Sequence, residues 1–260
     1  MTSLLGRVLT LIVVLGIACV GFVPGADASP VPYYSSSFGS EGTGDGQLKG
    51  SPELAVDAEG NIWAVDSANN RVEKFNSKGE FLLKFDSTGT ENGQFQSPLG
   101  IAIDSKDHPR VLEKTRIQEF TSTGEYVNKF GAPGKENGQL ESSTGIAIDS
   151  LDNIWVTSAG GLQRVQKFNS KGTFLLKFGS SGSGDGQFFQ PFSPAVAPDN
   201  SIWIADNSNN RVQGFNPSGE FIGKFKMTFP RGMGFDPKGN LFVSGSGGGS
   251  HIERWGLVGS

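Results

Sequence analysis

The residues that could do chemistry in this chain are spaced as a repeat. An acid after one apolar run and an arginine before the next recur as Asp66 with Arg71, Glu113 with Arg116 and Asp206 with Arg211. Such a pair brackets one turn, and its carboxylate and guanidinium can satisfy each other bidentately, so a structural role is expected. Where the acid is lost, at Ser158 and Gly245, the partners are Arg164 and His251. A second acidic column, Asp57, Asp104, Asp149 and Asp236, falls in turns such as Asp57-Ala58-Glu59-Gly60-Asn61. A Ca²⁺ site needs six to eight convergent oxygens, whereas each of these acids sits in its own turn, which favours capping. His108 and His251 are the only histidines, too few for a three-histidine zinc site, and no Ser/His/Asp set can be assembled. No catalytic residue, metal ligand or cofactor is expected. The binding candidates are Glu53, Ser193 and Arg231 at the start of the innermost strands, and Arg110 and Arg164 in the two irregular units. Glu53 and Arg231 belong to units that adjoin if the chain closes on itself, and a salt bridge across that seam is the first expectation for them.

The elements that must position these residues are short strands. In Pro52–Ser97 four apolar runs, Leu54–Val56, Ile62–Val65, Val72–Phe75 and Phe81–Phe85, are separated by Asp/Asn/Gly turns, the signature of an antiparallel meander. The unit recurs with a period of about 45 residues, a four-strand propeller-blade period. Two columns mark it independently: Phe75, Phe120, Phe168 and Phe215 end the third run, and Phe85, Phe130, Phe178 and Phe225 end the fourth. The predicted fold is all-β, a propeller of four-stranded antiparallel blades, five by this count and six as the alternative. Tyr33–Phe38 reads as a fourth strand without its first three, and the last unit stops before its fourth, so the N-terminal strand is expected to complete the last blade. Connectors ending in Asp/Asn-Gly-Gln and then Leu or Phe recur at Gly42–Leu48, Gly89–Phe95, Gly134–Leu140 and Gly182–Phe188, with the final apolar residue expected to be pinned under the sheet.

Residues 1–28 read as a secretory signal peptide: Arg7, the apolar Val8–Val23, and Ala26-Asp27-Ala28 before Ser29. Residues 29–260 form one domain. Cleavage removes Cys19, the only cysteine, so the core alone must hold the fold. The formal net charge of −4, with no basic run, argues against non-specific nucleic-acid binding. The expected location is extracytoplasmic, with no membrane span after cleavage.

The runs Asp57–Asp66, Asn69-Asn70-Arg71-Val72 and Phe85–Phe95 resemble the NHL-repeat family of β-propellers, a resemblance that extends from about Tyr33 to Trp255. It implies a platform used for extracellular sensing or for protein or RNA binding, and in a few branches for metal-dependent lyase chemistry. The expected function is a secreted, monomeric, non-catalytic binding or sensing module that meets a protein or small ligand on a rim of loops. A divalent-metal-dependent lactonase or lyase using Glu53 at the channel mouth is the alternative.

Overall fold

A computed structural model describes residues 36–50, 53–246 and 249–256. A short parallel pair, β1 (Ser40–Glu41) and β2 (Gln47–Leu48), precedes five antiparallel meanders. Blade 1 comprises β3 (Glu53–Val56), β4 (Ile62–Asp66), β5 (Arg71–Phe75) and β6 (Phe81–Asp86). Blade 2 comprises β7 (Gly100–Ile103), β8 (Pro109–Leu112), β9 (Ile117–Phe120) and β10 (Tyr126–Phe130). Blade 3 has β11 (Ser143–Ile148), β12 (Ile154–Ser158), β13 (Arg164–Phe168) and β14 (Phe174–Phe178). Blade 4 has β15 (Pro191–Val196), β16 (Ile202–Asp206), β17 (Arg211–Phe215) and β18 (Phe221–Lys226). Blade 5 shows three strands, β19 (Met233–Phe235), β20 (Asn240–Gly245) and β21 (His251–Gly256). The turn ends of all five innermost strands line one axial cavity, so the blades form a five-bladed propeller.

A meander has two apolar faces, and each blade buries them against its neighbours. In blades 1, 3 and 4 every residue of the second and third strands is buried. Trp63, Val65 and Val72 pack on Ile101, Val111 and Phe120 between blades 1 and 2, and equivalent clusters fill the next three seams. The connector residues Phe95, Leu140 and Phe188 are fully buried in those clusters, as expected from sequence.

The same aromatic contact marks all five seams. An outer-strand Phe lies over the third-strand aromatic of the following blade: Phe85 on Phe120, Phe130 on Phe168, Phe178 on Phe215 and Phe225 on Trp255, at 4.6, 5.4, 4.5 and 4.1 Å. At the fifth seam Phe38 takes that place over Phe75 at 5.3 Å. The turn beneath it explains one glycine, because a Cβ on Gly79 (φ 82°) would stand 2.3 Å from the Phe38 ring. Phe38 therefore occupies the fourth-strand position of the closing unit. Tyr33 to Ser35, like the predicted signal segment, lie outside the described residues.

At the lower end, where first strands turn into second, side chains fasten blade to blade. The Ala58 N–H donates to Asp107 Oδ1 (2.9 Å), Ser105 N–H and Oγ to Asp152 (2.8 and 2.6 Å), and Ser150 N–H to Asn200 Oδ1 (3.0 Å). Asp107, Asp152 and Asn200 all have positive φ, a conformation that Asp and Asn tolerate. At the next two seams the donor positions are Pro198 and Pro237, which have no N–H, and the acceptor positions are Gly239 and Gly60. The fastening thus spans three of the five seams.

Candidate functional site

The axial cavity, about 560 Å³, has an apolar floor of Val56, Ile103, Ile148, Val196 and Phe235 and an acidic rim. Its carboxylates are already engaged. Asp57 caps its own turn through the Glu59 and Asn61 N–H groups, and its Oδ2 accepts from Asn61 Nδ2 (3.0 Å), Trp63 Nε1 (3.0 Å) and Lys74 Nζ (3.1 Å). Lys74 also lies over the Trp63 ring at 4.6 Å. Blade 3 repeats this set with Asp149, Asn153, Trp155 and Lys167. Burial opposes ionisation of Asp57 and Asp149, but the hydrogen bonds from their asparagines and tryptophans outweigh it and hold both below the usual carboxylate range. The sequence shows the Asp and Trp columns; the lysine that completes each set was missed, although Lys74 and Lys167 share one repeat position.

Blade 2 substitutes the pair as a unit. Arg110 stands at the Trp position and Glu119 at the Lys position, with Arg110 Nη2 to Asp104 at 2.9 Å and Nη1 to Glu119 at 2.7 Å. Asp104, His108 and Glu119 bring one potential metal-ligand atom each within 4.8 Å of the others. The buried Arg110 guanidinium lies between the two acids, so a cation there would have to displace a charge already paired. Arg110 is expected on the loop rim from sequence. The structure instead places it inside the blade, because a second-strand side chain is covered on either face by neighbouring blades.

Arg164 is also buried, correcting its expected place on the rim. Its guanidinium donates to the carbonyls of Lys135, Glu136 and Gln139 in the preceding connector. Arg71 and Arg211 make the same three-carbonyl clamp, and each also pairs with its acid, Nε to Asp66 at 3.1 Å and to Asp206 at 2.7 Å. The structural reading of these acid–arginine pairs holds.

Glu53, Ser193 and Arg231 lie at the upper end, the opposite end of the inner strands from the cavity. Burial raises the Glu53 carboxyl above its ordinary value even though the side chain keeps an open edge. Glu53 and Arg231 form no salt bridge among the described residues. Arg231 is exposed and stacks instead over Phe192 at 5.3 Å. Two further phenylalanines stand open beside it, Phe189 at 50% and Phe229 at 46% exposure. Both are tied to the blade 4 turn at 207–210: the Ser208 N–H donates to the Phe189 carbonyl and the Phe229 N–H to Asn210 Oδ1. Phe229 has φ 46°, a conformation that a bulky side chain rarely adopts. The equivalent connector positions hold Gln96 and Ser97 before blade 2 and Glu141 and Ser142 before blade 3. Sequence reading missed this aromatic patch because both residues adjoin runs that look like core.

A family model for the NHL repeat matches residues 195–215, the inner three strands of blade 4. The chain is a β-propeller that carries an NHL repeat in blade 4. Over 48 residues, 18% of its length, it is 42% identical to protein lin-41 of Caenorhabditis elegans, a stretch that makes up 4% of that relative. Among solved structures, a catalytically inactive variant of virginiamycin B lyase from Staphylococcus aureus, determined with quinupristin, superposes with a TM-score of 0.60 at 17% identity, covering 80% of this propeller and 71% of that chain. A chain of a nidogen/laminin complex superposes with a TM-score of 0.62 at 16% identity, covering 75% and 72%. At these identities the likeness is one of fold. No helix among the described residues of the NHL propeller is long and apolar enough to cross a membrane.

Proposed function

We propose that this propeller is a non-catalytic binding module, exported as the N-terminal segment suggests, and that its contact surface is the upper rim over blades 4 and 5. The observation that carries this reading is the pair of exposed phenylalanines, Phe189 and Phe229, beside the acid-free Arg231, where the equivalent connector positions of Phe189 and Phe229 before blades 2 and 3 carry polar residues. Exposed aromatics with an arginine are the composition of an interface centre. The lower cavity supports the reading from the other side, since the carboxylates of Asp57, Asp104 and Asp149 are engaged in the fold.

The repeat supplies fold-preserving variants for the test. Phe189→Gln and Phe229→Ser install the residues that precede blade 2. Together with Arg231→Ala they are expected to abolish capture of a partner that the wild type binds. Gln96→Ala with Ser97→Ala, on the same rim at the seam of blades 1 and 2, leaves capture intact. Equal binding by both sets of variants would refute the assignment.

A further inference from the structure

The upper end of blade 3 gathers four buried polar atoms that have no hydrogen-bond partner: Ser143 Oγ, Ser158 Oγ, Arg164 Nε and Glu141 Oε2. They are neighbours by strand register. Ser143 pairs with Ser158 across β11 and β12, and Ser158 with Arg164 across β12 and β13. Glu141 is two residues before Ser143, close enough for its charge to act on Arg164.

The other blades show what belongs there. In blades 1 and 4 the residue in register with the arginine is an aspartate, Asp66 opposite Arg71 and Asp206 opposite Arg211. One carboxylate oxygen takes the arginine Nε–H. The other takes a connector backbone N–H, that of Lys49 at 3.2 Å or Phe189 at 2.8 Å. Glu113 serves blade 2 likewise, accepting from Arg116 and from the Gln96 N–H at 2.7 Å. Blade 3 retains the donors, the Arg164 Nε–H and the Glu141 backbone N–H, but substitutes Ser158 for the carboxylate. Arg164 is 6% exposed, Ser143 4% and Ser158 fully buried, so these groups are removed from bulk solvent. The turn above them, residues 159–163, is one residue longer than the turn at 67–70 in blade 1, and its Gly160 and Gly161 are exposed. A Cβ on Gly161 would meet nothing within 4 Å, so this part of the turn faces open space.

We propose that blade 3 carries a buried site for a small oxyanion of carboxylate size, held by Arg164, Ser158 and Ser143 where the other blades hold their own acid. A planar oxyanion there accepts from Arg164 Nε and both hydroxyls, each a charge-assisted bond. Glu141 Oε2 sets the preference among such anions. It is an acceptor, so it favours an oxyanion that keeps one proton to donate. Hydrogencarbonate has that proton on the edge opposite its charge; formate has none. This inference stands apart from the rim assignment, because no rim aromatic contributes to the site.

The test is thermal unfolding of the whole propeller at pH 8, titrated with sodium hydrogencarbonate or formate while sodium chloride holds ionic strength constant. A ligand that binds the native state raises Tm by an amount that grows with the logarithm of its concentration once that exceeds Kd. The wild type is expected to show such a rise, with hydrogencarbonate acting from a lower concentration than formate. Ser158→Asp supplies the carboxylate covalently and is expected to unfold at a higher temperature with no response to either anion. Ser158→Ala keeps the space and loses one donor, so that about tenfold more anion is needed for the same rise, and it carries the test if the aspartate variant does not fold. No wild-type rise over the chloride control, or the same response in wild type and Ser158→Asp, would mean that water alone meets these groups and would overturn the site.

Discussion

Glu73 shows how a single atom type can change a repeated contact. In blades 2, 3 and 4 its position is Gln118, Gln166 or Gln213, and each amide makes a matched pair of bonds to the preceding connector. The oxygen accepts the N–H of Gly93, Gly138 or Gly186, and the nitrogen donates to the carbonyl of Gln94, Gln139 or Gln187. A carboxylate cannot make the second bond, and both Glu73 oxygens are buried without a hydrogen-bond partner although Arg71 Nη2 stands 3.1 Å from one of them. Burial pushes Glu73 up to about 7, against the opposing pull of the Arg71 and Lys84 charges and with the help of Asp66 and Asp45. The folded state therefore holds this proton more tightly than the unfolded chain. The resulting stability is fully present below about pH 4.5 and is lost as pH rises through about 7. Glu73→Gln recreates the Asp206–Arg211–Gln213 arrangement of blade 4 and is expected to gain about 1–3 kcal/mol at pH 8, the cost of an unsatisfied buried acceptor, with the gain shrinking toward pH 5. A Tm difference between variant and wild type that stays constant from pH 5 to 8 would show that Glu73 is not the group responsible.

At the level of elements, the sequence was most legible where the repeat compares a residue with its counterparts. The Phe columns, the turn aspartates and the connector Leu or Phe all stand where their periodicity puts them. Arg110 and Arg164 were misplaced for a physical reason. Both lie in strands sandwiched between blades, so the inside–outside alternation that reads a half-exposed strand does not apply. Partnership across seams was illegible too, since nothing local tells that Asp107 answers Ala58. Ring closure is the element most open to trial. Phe38 packs with Phe75, Phe81, Leu48 and Leu54, in a cluster to which blade 5, on the other side of that seam, contributes no residue. Phe38→Ala is expected to cost about 2–4 kcal/mol, which for a domain of this size is a Tm loss of several degrees. An unchanged Tm would mean that the N-terminal segment does not close the ring.

Across the whole molecule the five blades are not equally joined. Side-chain bonds fasten blades 1 to 2, 2 to 3 and 3 to 4 at the lower face, while Pro198 with Gly239 and Pro237 with Gly60 remove donor and acceptor together at the last two seams. Blade 5 also shows three strands where the others show four. Native-state hydrogen exchange is expected to find the amides of β20 and β21 opening at lower free energy than those of β12 and β13, as a separate cooperative unit. Uniform protection across all blades would contradict this.

The connector clamps have a direction in time. Arg116 and Gln118 hold carbonyls at 90–94, and Arg211 and Gln213 hold carbonyls at 183–187, so each connector is secured by residues that follow it by roughly 22 to 28 positions. A chain emerging from the ribosome thus finishes each blade only when the third strand of the next has been made, and an arrest partway leaves a single unclamped connector at the growing end. The exception is the seam at Phe38, whose two sides lie roughly two hundred residues apart in the sequence, so that it forms only after blade 5 has been made.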